Sequence, residues 1–371
     1  MLNSCKVCSS IDFNDVLKFK ETVFSDGNLT EKPLVKEECQ NCGTIRTKLN
    51  INLEKFYQKN YKPSRNINTV ALIDNEAINR SNFVYQWIVN LVSEYNLAKF
   101  ENILEIGCGQ GFLLEKFNNK NKYGIEPSED AVKLAKNTAQ VRNISYEKIS
   151  NAERYDFIFS YCVIEHIEDP KSFLNKQYNT LSVGGKMCVS LPIQDKFNYD
   201  LFFADHIHHF SHDNFERLLN HCGFSVLNYE LGRGSYTNIG MYICKKVEKK
   251  EILFEYIKNK NLKNIDTIIK NIDDIIKKYQ HKLLYAFGYG EIAKTILPYS
   301  DLDKHIINYI DDFNNEPKVI SSKKAKLLFE NMVDINIILL VNPAHIQKIK
   351  SLFCEFDAIN FINIFENMAV D

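Results

Sequence analysis

Ile103-Leu104-Glu105-Ile106-Gly107-Cys108-Gly109-Gln110-Gly111 is an apolar strand that runs straight into a G-x-G-x-G turn. Phe112–Phe117 behind it has the pattern of a helix start. Glycines serve where the chain turns sharply and where a ligand must approach backbone with no Cβ in the way. A helix start adds unsatisfied N–H groups. Two acids sharpen the reading. Glu105 lies two residues before the first glycine, and the next strand, Tyr123-Gly124-Ile125, ends in Glu126. An acid at the end of a second strand can accept both hydroxyls of a ribose.

Outward from this turn, strands and helices alternate. Asn82–Leu97 reads as an amphipathic helix, followed by strand candidates Asn102–Ile106, Tyr123–Ile125, Tyr155–Ser160 and Lys186–Leu191. Such alternation predicts an α/β domain with a parallel sheet covered on both faces. Ser225–Glu230 and Met241–Lys245 flank a polar turn and are expected as an antiparallel pair at the sheet edge. The expected division is 1–65, 70–248 and 250–371. The last part opens with Lys/Ile/Asn-rich linker helices over about 250–280, then repeats strand, glycine turn and helix.

Bulk properties exclude several classes. The chain has 371 residues and a formal net charge of -1, so no global field draws it to nucleic acid or an anionic membrane. No apolar run reaches the roughly 18–20 residues that span a bilayer. The N-terminus lacks a basic segment followed by an apolar one, so the expected location is cytoplasmic, with reduced thiols.

The turn G-x-G-x-G differs from the G-x-G-x-x-G of dinucleotide folds. An acid beside the loop would repel pyrophosphate but suits a ligand carrying a sulfonium and an ammonium group. Glu105-Ile106-Gly107-Cys108-Gly109 with Gly124-Ile125-Glu126-Pro127-Ser128 resembles motifs I and II of the class I S-adenosylmethionine-dependent methyltransferases. Tyr155–Ser160 with Val163–Pro170 resembles their fourth strand and the segment after it, and Leu181–Lys186 the turn into the fifth. The resemblance implies that Glu105, Gly107, Cys108, Gly109 and Gly111 contact the methionine end of S-adenosylmethionine, and that Glu126 holds its ribose. His166 reads as a structural histidine near that cofactor.

At the front, Cys5-x-x-Cys8 and Cys39-x-x-Cys42-Gly43 form two knuckles about thirty residues apart. Each pair offers two thiolates to one tetrahedral Zn²⁺, and a glycine after a pair eases the turn around the metal. Four thiolates close the shell, so such a zinc is structural.

Zinc segment, class I core and Rossmann-like tail, in this order, resemble the sugar methyltransferases, notably C-methyltransferases of nucleotide-linked deoxysugars, whose products feed polysaccharide biosynthesis. The resemblance makes Tyr57 and Tyr61 candidate substrate contacts. It makes His206 the base and Asp205 its acidic neighbour, within Asp205-His206-Ile207-His208-His209-Phe210-Ser211. A histidine suits the role because its unperturbed pKa lies near neutrality. The proton would leave a carbon beside a ketone in C-methylation, or a hydroxyl in O-methylation. Phe203 stands where the C-methylating group has a tyrosine, and Gly232-Arg233-Gly234-Ser235 replaces a His-Gly-Gly-Ser tract, so both chemistries stay open. His206, His208, His209 and His212 are also open to capping the following helix. No H-E-x-x-H pattern supports a catalytic metal there.

A second turn, Gly288-Tyr289-Gly290-Glu291-Ile292-Ala293, is followed about twenty residues later by Asp311-Asp312. On paper this is a dinucleotide fingerprint. It supports an alternative function, a nucleotide-sugar-binding NAD-dependent oxidoreductase. The expected partner is a small molecule in either case, and neither nucleic acid nor membrane.

Overall fold

The computed structural model describes residues 4–19, 22–25, 27–30, 32–48, 56–57, 70–73, 76–135 and 140–365. The chain divides into two compact units: Met1–Leu17, Val35–Asp195 and Asp205–Asn259 form one, and Lys18–Leu34, Lys196–Ala204 and Lys260–Asp371 the other.

A small sheet at the front contains β1 (Phe13–Phe19), β4 (Leu34–Cys39) and β5 (Ile45–Thr47). Its fourth strand, β13 (His208–His209), comes from the middle of the chain, and the order is β1-β4-β5-β13. Two short antiparallel pairs are β2 (Thr22–Val23) with β3 (Leu29–Thr30), and β6 (Val70–Ile73) with β7 (Glu76–Asn79).

The larger sheet of the first unit holds β8 (Asn102–Ile106), β9 (Asn121–Ile125), β10 (Gln140–Arg142), β11 (Tyr155–Tyr161), β12 (Leu181–Pro192), β14 (Phe224–Leu231) and β15 (Ile239–Lys246). The order is β10-β9-β8-β11-β12-β15-β14. β8 to β12 pair in parallel, while β15 runs antiparallel to both β12 and β14, so the expected edge pair is present. Successive residues alternate between two buried faces: Ile103, Phe157, Phe159 and Cys188 pack with Val84, Trp87 and Phe117, whereas Leu104, Ile106, Ile158 and Met187 pack with Phe173, Leu174 and Leu218. Burial on both faces is what a parallel sheet requires. The covering helices are α1 (Arg80–Leu91), α2 (Glu129–Leu134), α3 (Pro170–Thr180) and α4 (His212–His221). Ser128, Asp169 and Ser211 accept hydrogen bonds from the first-turn amides of α2, α3 and α4.

Three helical expectations change. After the glycine turn the chain makes a single 3-10 turn, Leu114–Lys116, and Phe117 is already extended. Asn118 and Asn119 follow, and the Asn119 amide donates to the carbonyls of Leu97 and Phe100. Side chains that bond backbone elsewhere compete with helix. The helix expected over Asn82–Leu97 is α1, ending at Leu91, because Asn96 adopts a left-handed conformation (φ 50°) between two 3-10 turns. Of the linker region, only α5 (Asn261–Tyr279) is helical, with Ile265, Ile268, Ile272 and Ile275 on its buried stripe. The stretch 251–259 instead crosses the cysteine knuckle as irregular chain. Ile257 N donates to Cys42 O. A Cβ on Gly43 (φ +76°) would stand 1.9 Å from Ile257 O, so this crossing demands glycine.

The second unit holds a five-stranded parallel sheet in the order β18-β17-β16-β19-β20: β16 (Leu284–Phe287), β17 (Ile306–Ile310), β18 (Val319–Ile320), β19 (Ile335–Leu339) and β20 (Ile359–Asn363). Its further helices are α6 (Glu291–Ile296), α7 (Leu302–His305), α8 (Ser322–Phe329) and α9 (Ile346–Leu352). Both large sheets thus carry a glycine turn after their central first strand.

His208 on β13 is buried, and its Nε2 donates to Glu168 O at 3.1 Å. Burial pushes its pKa down to about 4. A histidine depressed in the fold leaves stability intact above its unfolded value near 6.5 and removes it as pH falls toward 4. The slope is about 1.4 kcal/mol per pH unit, or roughly 3 kcal/mol across the window. Urea unfolding at several pH values should therefore show a steeper acid loss in wild type than in His208→Gln. Parallel slopes would refute a neutral, buried His208.

Candidate functional site

The site starts at the carboxyl end of β8, where the strand order reverses between β8 and β11 and a crevice opens. Gly107, Gly109 and Gly111 all have positive φ (72°, 52° and 80°), so the turn is a left-handed path that side-chain-bearing residues rarely take. A Cβ on Gly107 would fall 2.6 Å from the Val163 side chain. Gly107 N and Cys108 N both donate to Ile125 O, which ties the turn to β9. Glu126 closes it from the other side: Oε2 accepts from Gly109 N at 3.0 Å and Oε1 from Ser128 N at 2.9 Å.

Glu105 is buried, and its Oε2 has no hydrogen-bond partner among the described residues. Burial raises its pKa well above the usual carboxylate range, the nearby Glu126 charge adds to this, and a backbone hydrogen bond from Leu114 opposes it. Burial raises Glu126 as well, against the hydrogen bonds from Ser128 and Gly109. Two carboxylates held against their ionised forms at the mouth of a glycine turn make a receptor for positive charge.

A cavity of about 250 Å³ opens here. Its lining includes Glu105, Gly107, Cys108, Gly109, Glu126 and Ser128 together with Tyr57, Arg80, Tyr161, Cys162, Val163 and His166. The Arg80 guanidinium lies over the Tyr161 ring, 4.9 Å from its centroid.

The lining carries a hydrogen-bonded group. Tyr57 Oη lies 2.6 Å from His166 Nδ1 and donates to Asp205 Oδ2 at 3.0 Å. His166 Nδ1 is also 3.1 Å from Asp205 O and 3.5 Å from Asp205 Oδ2. A carbonyl oxygen only accepts, so His166 Nδ1 carries a proton, and Nε2 is the basic atom of the neutral ring. The His206 ring packs edge-on against His166, with centroids 4.5 Å apart. Asp205 and His206 are both buried. One ligand atom from each of Glu165, His166 and His206 lies within 4.8 Å of the others.

At the front, the sulfurs of Cys5, Cys8, Cys39 and Cys42 all lie within 4.8 Å of one another. Cys5 Sγ to Cys42 Sγ is 3.8 Å and Cys8 Sγ to Cys39 Sγ is 3.5 Å. A tetrahedron with Zn–S bonds of about 2.3 Å has edges of about 3.8 Å, so these four residues can hold a zinc ion.

The structure brings most of the expected residues together. Glu105, Gly107, Cys108, Gly109 and Glu126 line one cavity, and Gly111 completes the turn beside it. Asp205 and His206 stand behind the lining rather than in it, joined to it through Tyr57 and His166. Tyr61 lies outside the described residues. The second turn repeats the device of the first: Asp311 Oδ2 accepts from Tyr289 N and Oδ1 from Phe313 N. His166, expected as a structural histidine near the cofactor, lines the cavity from the 3-10 turn Ile164–His166, five residues beyond the end of β11. Helix capping by the histidine cluster goes instead to Ser211 and to Asp195, whose Oδ2 accepts from His212 N.

Residues 61–229 match a family described as a methyltransferase domain. A ubiquinone biosynthesis O-methyltransferase of Bradyrhizobium sp. (strain ORS 278) is 33% identical over 97 residues, 24% of this chain and 38% of the relative. One from Coxiella burnetii (strain Dugway 5J108-111) is 29% identical over 102 residues, 25% of this chain and 44% of the relative. The chain therefore spans less than half the length of these relatives. A solved S-adenosylmethionine-dependent methyltransferase from Clostridium acetobutylicum ATCC 824 aligns at 15% identity over 45% of this chain and 92% of its own, with a TM-score of 0.38, too low to argue from. Residues 61–229, which hold the glycine turn and its two acids, are thus similar to a methyltransferase domain.

Proposed function

We propose that this protein transfers a methyl group from S-adenosylmethionine to a carbon or oxygen of a nucleotide-linked sugar, with a structural zinc on Cys5, Cys8, Cys39 and Cys42. The observation that carries the reading is one cavity lined both by two buried carboxylates, Glu105 and Glu126, and by the hydrogen-bonded Tyr57 and His166. The nucleotide-linked sugar rests on the three-part layout.

S-adenosylmethionine supplies an electrophilic methyl on a sulfonium. The chain's residues do the rest. Glu105, with a buried oxygen unpartnered among the described residues, faces the positive end of the cofactor. Glu126, which accepts from the Gly109 and Ser128 amides, would hold the ribose hydroxyls. The acceptor's carbon or hydroxyl would lose its proton to His166, which lines the cavity, with the His206 ring packed behind it. The electron pair so released forms the new bond to the methyl as the methyl–sulfur bond breaks. Asp205, held by Tyr57, stabilises the imidazolium that results. Alignment of the acceptor with the methyl supplies much of the rate.

Calorimetric titration with S-adenosylhomocysteine tests the cofactor end. Micromolar binding, on the order of -8 kcal/mol, is expected in wild type and should collapse in Glu126→Ala. The ammonium of this ligand favours ionised Glu105, whose pKa is raised in the free protein. Binding should therefore release protons, and affinity should climb as pH rises above 4.5 toward that raised value. Glu105→Gln should bind more weakly and lose this dependence. No binding by wild type at any pH would overturn the assignment.

A further inference from the structure

The front sheet contains a lysine that the proposed reaction does not use. Lys36, on β4, is 0% exposed. A lysine is almost never so buried unless paired. Its Nζ lies 2.8 Å from His209 Nε2, donates to Thr47 Oγ1 at 2.5 Å and to the backbone carbonyl of His206 at 3.2 Å. Thr47 Oγ1 donates to the same His206 carbonyl at 2.5 Å. An ammonium has three donors and no acceptor, so His209 Nε2 must accept, and the proton of that ring sits on Nδ1.

The peptide after His206 is pinned from both sides. Thr47 N donates to Ile207 O at 2.8 Å, and Ile207 N donates to Glu165 O at 2.6 Å. One side is Thr47 on β5, five residues beyond Cys42. The other is the segment that carries His166. A shift of this peptide moves the root of the His206 side chain relative to His166, whose ring it meets at 4.5 Å. Register points the same way: Lys36 sits opposite Thr47, and His209 opposite Ile45, so three adjacent strands converge on one carbonyl.

We propose that Lys36 is a positioning residue: its buried ammonium fixes the His206 carbonyl and the His209 tautomer, and so sets where the His206 imidazole stands beside His166. The inference rests on the reading of His166 and His206 as the proton-handling pair. It adds a connection that runs from the cysteine-bearing sheet into that pair through β4, β5 and β13. The lysine acts through backbone and through His209, and touches neither the cavity nor its occupants.

The test uses full-length protein with ¹⁵N-labelled histidine, saturated with S-adenosylhomocysteine, as wild type, Lys36→Met and Lys36→Gln. In wild type the ring nitrogens of His209 should report the less common tautomer protonated at Nδ1. In Lys36→Met the His209 signal should change tautomer, the His206 ring signals should move, and the Ile207 amide should exchange with solvent at least tenfold faster. Affinity for S-adenosylhomocysteine should stay within twofold. Lys36→Gln keeps a donor for the His206 carbonyl but loses the charge, so it should restore the His206 signals without restoring those of His209. Wild-type histidine signals in a folded Lys36→Met protein would overturn the proposal. If Lys36→Met fails to fold, Lys36→Gln decides alone: an unchanged His209 tautomer refutes the role. Failure of the methyltransferase reading is separate, since it appears as absent ligand binding by wild type.

Discussion

Cys39→Ser is expected to unfold the front of the protein. Cys39 and Cys42 bound the turn between β4 and β5, and both are buried. Zinc sites of four thiolates contribute apparent binding free energies of roughly 10–16 kcal/mol to the folding of small zinc domains. Loss of one thiolate leaves an open shell and one hydroxyl among three sulfurs. We expect destabilisation of several kcal/mol, on the scale of the largest single-residue effects. Mass spectrometry under native conditions should find one zinc per wild-type chain and none in the variant. Thermal unfolding should start far lower in the variant, and in wild type treated with a chelator. An equal melting temperature with and without chelator would refute a structural metal. Because β5 pairs with β13, metal loss should also loosen His208 and His209, which amide exchange would report.

His206→Ala and His166→Ala are each expected to lose about 10²–10⁴-fold in turnover, the usual scale for a positioned acid or base. The assay follows S-adenosylhomocysteine formation from S-adenosylmethionine across a panel of nucleotide-linked deoxysugars. Calorimetric affinity for S-adenosylhomocysteine should change little, since neither histidine belongs to the glycine turn or its two acids. The two rings touch, and both adjoin Asp205, so they act as a unit and their losses should not add. The double variant should be no slower than the worse single one by more than a few-fold. Full turnover in either single variant would remove that histidine from the reaction, and additive losses would mean two independent roles. Tyr57→Phe should fall between, because it frees Asp205 Oδ2 and His166 Nδ1 without removing either.

Much of the cofactor end was legible along the chain. Glu105, the three glycines and Glu126 all belong to two strand ends that are neighbours in any parallel sheet of this order, so local spacing already places them together. The antiparallel pair at the edge and the four cysteines were legible for similar reasons: strand alternation and knuckle spacing are short-range patterns.

The contacts that join Tyr57, His166 and Asp205 were not. Tyr57, His166 and Asp205 are separated by 109 and 39 residues along the chain, and no periodic pattern links them. Lys36 stands in no motif of the sequence; the pairing of β4, β5 and β13 buries it and sets it against His206 and His209. The stretch 251–259 had helical spacing, yet a glycine at position 43 leaves room for it to cross as irregular chain. By itself, the sequence determined the α/β class, the strand-to-glycine-turn unit and the antiparallel edge pair, because these follow from residue type at fixed spacing. The tertiary structure alone decided which buried polar groups face one another. Burial leaves such a group no water to bond, so its partner must come from whichever distant segment the fold brings within reach.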